Sequence, residues 1–390
     1  MRSWLHDMTG FVWFALTCLA FVFPAYATEM PASAVANVPP PELEARSWVL
    51  MDHNSGWVLA SSNPDARIEP ASLSKLMTAY IVFRELQRGN LQLNTPINIS
   101  EKAWKTEGSR MFVKVNSDVS AEELLQGLIV QSGNDAAVAL AEHIAGSESG
   151  FAEVMNATAA ELGLNGSHFA NSTGLPAPDH YSTARDISLL TRALVMQFPD
   201  YYRWYSQKDY TYNDITQKNR NLLLWRDDSV DGVKTGHTKS AGFCLVGSAL
   251  RDDMRLTATV IGTKSKRYRA DAVHSLLKYG YAAYESKQLY AADASVVDIR
   301  VFKGELDQAP VGIGYDLAVT LPRGGFSNLE ANVAVADNQE APLQAGQTVG
   351  KLSLKYQGQP LAEYPLKVLT NIPKGSLWRQ AVDSVLMLFH

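Results

Sequence analysis

Three short strings hold residues able to cleave an amide: Ser72-Leu73-Ser74-Lys75, Ser132-Gly133-Asn134 and Lys234-Thr235-Gly236. An acyl-transferring serine needs a base for its hydroxyl proton, and a lysine three residues on lies on the same helix face. Lys75 has that spacing from Ser72. It serves as a base only if its pKa falls well below the free value of about 10.4, and burial beside a second cation such as Lys234 drives it down. At a helix start the Ser72 N–H is free to supply half of an oxyanion hole. In the second string, the Ser132 hydroxyl would pass a proton to the leaving amine, and the Asn134 amide would orient Lys75 and the substrate backbone. In the third, Lys234 and Thr235 suit a substrate carboxylate, Gly236 lets the backbone approach, and the His237 N–H completes the oxyanion hole. Arg269 and Arg220 are further candidates for that carboxylate. Any one string alone reads as a helix cap or a polar turn; their order and local context give them weight.

The elements needed to bring these strings together are legible in outline. Residues 47–60 form two short β-type runs about Asn54-Ser55-Gly56, a hairpin signal. Helical patterns open at Ser72 and at Ser120, where Ser120 and Glu123 spell a capping box, and continue over 149–163 and 183–197. Strand patterns return at 242–249 and 256–262, before a helix over 269–284. A hairpin, a helical block, further strands and a closing helix predict an α+β catalytic domain over 45–285. Alternating apolar and polar residues, punctuated by Gly and Pro, then predict an all-β domain over 286–370. Cys244, on the strand after the third string, reads as a small buried hydrophobe.

The chain has 390 residues and a formal net charge of −5, with hydrophobic residues at 46%. That fits a globular protein of two or three domains and gives no basic excess for nucleic acid. Residues 1–27 combine Arg2, an apolar run from Phe11 to Phe23 and Ala25-Tyr26-Ala27, the pattern of an export signal peptide; the run is shorter than the roughly 20 residues of a membrane span. Cys18 lies inside this segment, so the mature chain would keep Cys244 alone. Residues 28–44, with Pro31, Pro39, Pro40 and Pro41, read as a linker. At the other end, residues 374–390 place Leu377, Trp378, Ala381, Val382, Val385, Leu386 and Phe389 on one helical side, an amphipathic segment suited to lie in a membrane interface. The eight histidines form no metal-ligand spacing, so no metal and no cofactor are expected.

The three strings, with residues 106–112, 131–146, 171–175, 180–186 and 230–249, resemble the low-molecular-weight penicillin-binding proteins that are serine D-alanyl-D-alanine carboxypeptidases. The resemblance implies a penicillin-recognising serine transpeptidase/β-lactamase-like α+β domain of antiparallel sheet and helices, a small all-β domain and a C-terminal amphipathic helix. It further implies a periplasmic enzyme, held to the inner membrane by its tail, that removes the terminal D-Ala from peptidoglycan pentapeptides and is acylated by β-lactam antibiotics. A D,D-endopeptidase cutting crosslinks would use the same machinery, and a noncatalytic muropeptide sensor would keep the pocket. A β-lactamase is a weaker rival: Glu161-Leu162-Gly163-Leu164-Asn165 matches the letters of its deacylation motif, but Glu161 ends an apolar-periodic helix and is expected to point outward.

Overall fold

The computed structural model describes residues 28–387; residues 1–27, where the signal peptide is expected, and 388–390 lie outside the described residues. A six-stranded sheet organises the first domain, in the order Thr28–Glu29, Trp57–Ser62, Ser47–Asp52, Met254–Thr263, Gly242–Arg251, Val230–Thr238. The short first strand runs parallel to its neighbour, and the other pairings are antiparallel. Gly56 makes the hairpin turn at φ +76°. Every residue of Ser47–Asp52 is buried, because both faces of the sheet are covered. Trp48, Leu50, Leu245 and Ala258 pack beneath the helix Lys266–Ala283, whereas Val49, Met51, Val246 and Ile261 join the core of the helical block. That alternation is the period-2 consequence of a strand buried on two sides.

The helical block holds the chemistry. Its central helix, Lys75–Gln87, is buried continuously from Lys75 to Phe83. The helix was expected to open at Ser72; instead Ala71–Ser74 forms a tighter 3₁₀ turn and regular helix starts at Lys75. Ser120 and Glu123 form the reciprocal capping box at the head of Ala121–Gln126. The helices Glu148–Glu161 and Ala184–Gln197 complete the packing around Lys75–Gln87.

Helix Lys266–Ala283 passes directly into a strand, Tyr284–Tyr290, that pairs with Leu317–Pro322. Five further strand segments and the two-residue Gln339–Glu340 make a six-stranded sheet in the second domain. Tyr284–Tyr290 and Gln308–Gly312 escaped the sequence pattern: the first is mostly polar and continues the preceding helix, and the second is five residues long with Pro310 interrupting it. The domains touch through side chains, with Ser55 Oγ 2.8 Å from Thr320 Oγ1. Residues 28–44 lie along the first domain: Met30 and Ala34 are buried, Ala36 N donates to Tyr284 Oη, and Tyr279 Oη donates to Val38 O.

Candidate active site

Ser72, half-buried in its 3₁₀ turn, lies 3.4 Å from Lys75 Nζ. Lys75 has no exposed surface, and its Nζ also donates to Asn134 Oδ1 and to Thr173 O, each at 2.6 Å. The two anchors fix the amine beside Ser72 instead of letting its four-carbon stem wander. Burial, reinforced by the Arg220 guanidinium, lowers the Lys75 pKa to about 7, against a weaker pull from Asp135 and Glu148. A substantial fraction of Lys75 is therefore neutral at physiological pH.

Ser132 and Asn134 sit where a helical turn, Gly127–Gln131, gives way to the helix Asn134–Ala145. Ser132 bridges the two in the left-handed region at φ +66°, an unusual conformation for a residue other than glycine. Its hydroxyl is buried and has no hydrogen-bond partner among the described residues. Asn134 is held on its other side: Nδ2 donates to Glu107 O, and its backbone N donates to Ser109 O, both at 2.6 Å. The adjacent Asp135 carboxylate accepts from Met111 N, Phe112 N and Val113 N, pinning residues 106–113 over the serine–asparagine turn.

Lys234, Thr235 and Gly236 lie on Val230–Thr238, the edge strand of the central sheet, all three buried, with His237 exposed beyond them. A Cβ added at Gly236 would fall 3.2 Å from Pro70 O and 3.3 Å from the Ala71 Cβ, so the strand runs directly beside the turn that carries Ser72. Burial pushes the Lys234 pKa well down, and the charges of Lys75, Arg220 and Arg269 add to the effect. Lys75, Lys234, Arg220 and Arg269 therefore lie close enough together to disfavour one another's charge, and an anionic substrate group entering among them would favour their protonated forms.

The two arginines are placed differently. Arg220 donates to Ser109 Oγ at 2.6 Å, on the loop beside Asn134. Arg269 is buried and donates to Gly236 O at 2.9 Å. Because Gly236 C=O and the His237 N–H belong to one peptide group, Arg269 holds the plane that directs that N–H. One of its five N–H groups engages the backbone, and the rest of the guanidinium leaves Arg269 the candidate carboxylate ligand that the sequence suggested. The His237 ring stacks on Phe243 with centroids 4.0 Å apart. Glu161 stands apart from all of these, largely exposed and paired with Arg84 at 3.0 Å.

Sequence reasoning missed the segment 171–180 as a working part. Thr173 supplies a carbonyl to Lys75, and Gly174, at φ +80°, packs so closely on Ala71 that an added Cβ would fall 1.8 Å from Ala71 O. The Asn171-Ser172-Thr173-Gly174 string is made of turn-forming residue types, yet nothing local pairs it with a helix a hundred positions away.

A D-alanyl-D-alanine carboxypeptidase family profile matches residues 34–265, and a profile for the C-terminal domain of penicillin-binding protein 5 matches 284–374. The chain is 40% identical over 379 residues to the D-alanyl-D-alanine carboxypeptidase DacC of Escherichia coli, covering 95% of this chain and 94% of the relative. It is 39% identical over 363 residues to DacA of Haemophilus influenzae, covering 90% and 92%. Among solved structures, penicillin-binding protein 5 of Haemophilus influenzae superposes with a TM-score of 0.82 at 39% identity, covering 86% of this chain and 100% of that one. Penicillin-binding protein D2 of Listeria monocytogenes, in an ampicillin-bound form, superposes with a TM-score of 0.58 at 26% identity over 62% of this chain and 100% of its own.

Proposed function

The chain belongs to the D-alanyl-D-alanine carboxypeptidase family of serine peptidases, and from that premise we propose how its residues share the reaction. Neutral Lys75 takes the Ser72 proton as Ser72 Oγ attacks the carbonyl of the penultimate D-Ala. The N–H groups of Ser72 and His237 hold the resulting oxyanion. Ser132 protonates the departing D-Ala amine, Lys234 and Thr235 hold its carboxylate, and Asn134 keeps Lys75 in place. Arg220 strengthens the field on that carboxylate. Water then hydrolyses the ester, releasing the shortened peptide and restoring the Ser72 hydroxyl. The strained amide of a β-lactam enters the same first step and leaves a penicilloyl ester on Ser72.

One observation carries this reading: a buried lysine amine within 3.4 Å of an accessible serine hydroxyl, locked by Asn134 and Thr173 and lowered to about 7. The buried, unpartnered Ser132 hydroxyl supports it too, since an unsatisfied buried group costs about 1–3 kcal/mol and is retained where a substrate satisfies it. Purified protein incubated with a pentapeptide ending in D-Ala-D-Ala is expected to release one D-Ala per pentapeptide over many turnovers and to leave a crosslinked dimer largely intact. Preferential cleavage of the dimer would make it an endopeptidase instead.

Export and membrane attachment complete the proposal. The pattern of residues 1–27 supports delivery to the periplasm. The C-terminal helix Leu377–Leu386 turns its polar side inward: Asp383 is buried and accepts from Lys303 N, and Arg379 pairs with Asp307. Leu377 and Trp378 are 85% and 79% exposed, and Val385 is 57% exposed. A helix that docks its polar face and offers its apolar one supports insertion into a lipid interface. No helix among the described residues is long and apolar enough to cross a membrane.

A further inference from the structure

His180 is buried, titratable and unused by the reaction above. Two isolated bridges, Ile68 with Ser182 and His168 with Tyr181, stitch its segment beneath the turn that carries Ser72. Its Nε2 lies 2.8 Å from Ser74 Oγ, and Ser74 Oγ donates to Ala71 O at 2.9 Å. On the far side of the ring, Ala170 N donates to Nδ1 at 3.4 Å. The network assigns the tautomer: Nδ1 accepts, Nε2–H donates to Ser74, and the Ser74 hydroxyl passes its own proton to Ala71 O. Burial lowers the His180 pKa to about 4, helped by His168 and Lys75 against Glu69, so the neutral ring that this chain of bonds requires is the form present at pH 7.

This hydrogen-bond network ends on the Ala71–Ser72 peptide, whose N–H belongs to the attacking serine. Ala71 C=O and Ser72 N–H belong to the same trans peptide, so whatever holds the carbonyl aims the N–H in the opposite direction. Ala71 itself stands at φ +51°, a left-handed conformation that costs an alanine roughly 1–2 kcal/mol and must be imposed by its surroundings. Gly174 presses on that carbonyl from one side, and the Ser74 hydroxyl bonds it from another. A hydrogen bond to the carbonyl also polarises the peptide and makes its N–H a stronger donor. Arg269 treats the Gly236–His237 peptide in the same way, through Gly236 O. Both peptide groups that would form the oxyanion hole are therefore held from behind by buried polar side chains.

We propose that His180 is a positioning residue which, through Ser74, sets the plane of the Ala71–Ser72 peptide and so aims the Ser72 N–H at the oxyanion. The inference rests on the reading of Ser72 as the nucleophile. It makes a specific demand: loss of His180 weakens transition-state stabilisation and leaves ground-state binding alone. Deleting an oxyanion donor outright costs about 10²–10³ in kcat, so misaiming one should cost about 10-fold to 100-fold.

The test compares His180→Phe, which keeps the edge contact with Phe169 but removes the donor, with His180→Gln, whose amide N–H restores it, and with Ser74→Ala. Acylation by benzylpenicillin and turnover of a D-Ala-D-Ala peptide are followed, together with the infrared stretch of the penicilloyl ester carbonyl. The expected result for His180→Phe and Ser74→Ala is a kcat loss in that range, KM within about twofold of the parent, and an ester band at higher frequency. The double variant should be no slower than either single one, and His180→Gln should recover most of the rate. An unchanged kcat and ester band in correctly folded variants would overturn the proposal, as would a loss confined to KM. If His180→Phe does not fold, Ser74→Ala, which deletes one oxygen, carries the same comparison. Failure of the parent protein to form an ester on Ser72 would strike the underlying reading; normal labelling of the parent with unaltered variants would strike this proposal alone.

Discussion

At the scale of single residues, the decisive quantity is the protonation of Lys75. Charged lysine cannot accept the Ser72 proton, and water would hold the amine charged until a pH of about 10.4. Removing that water is what moves the equilibrium: the amine is fully buried, and its partners Asn134 Oδ1 and Thr173 O are neutral acceptors, not a carboxylate that would restore the charge. With the folded pKa lowered to about 7, the base form is lost as pH falls through 7 and saturates above it. The second-order rate of acylation by benzylpenicillin should therefore fall about tenfold per pH unit below 6 and level off above 8. A stopped-flow profile with its inflection near 10, or with none, would contradict Lys75 as the base. Lys234 has a different place in the charge balance: burial and its cationic neighbours lower its pKa too, but it lies on the edge strand, where a substrate carboxylate would restore its charge.

At the scale of elements, a 3₁₀ turn, a loop and an edge strand must meet within a few ångströms. Gly174 shows how tight that meeting is, because a methyl there would overlap the Ala71 carbonyl and also occupy a left-handed backbone position. Gly174→Ala is expected to cost about 2 kcal/mol or more and lower Tm by roughly 5 °C or more, with acylation reduced as Ser72 shifts. Calorimetry and penicillin labelling read both effects, and an unchanged Tm would show that the turn is looser than this packing implies. The sequence exposed the hairpin around Gly56, the Ser120–Glu123 capping box and the long helices, because each is written in residues a few positions apart. The spacing of Ser72 and Lys75 was legible for the same reason. The Thr173 carbonyl, the His180–Ser74 contact and the bond from Arg269 to Gly236 O were not, since they join positions that only the tertiary fold brings near, and two of the three involve backbone atoms that carry no residue signature. The 3₁₀ start at Ala71 was hidden too: the left-handed φ of an alanine has no sign in composition.

At the scale of the whole molecule, the catalytic domain and the all-β domain are joined without a flexible tether, as the helix Lys266–Ala283 continues into Tyr284–Tyr290 and Ser55 meets Thr320. The terminal helix packs on that second domain through Asp383 with Lys303 N and Arg379 with Asp307, so a lipid surface gripping it would hold the protein by the β domain. Each large apolar side chain moved from water to lipid contributes about 1.5–3 kcal/mol. Leu377→Glu combined with Trp378→Glu should then weaken binding to phosphatidylethanolamine–phosphatidylglycerol vesicles more than tenfold while leaving peptide hydrolysis in solution unchanged. Sedimentation with undiminished vesicle binding would remove the helix from the account.

The claim on which all of this depends is that Ser72 is the acylated nucleophile. Mass spectrometry of the intact protein after exposure to benzylpenicillin should show one added penicilloyl mass, mapped by trypsin and fragmentation to Ser72 within residues 68–75, and none in Ser72→Ala. An adduct on Ser74, on Ser132 or on any other residue, or no adduct at all, would contradict it.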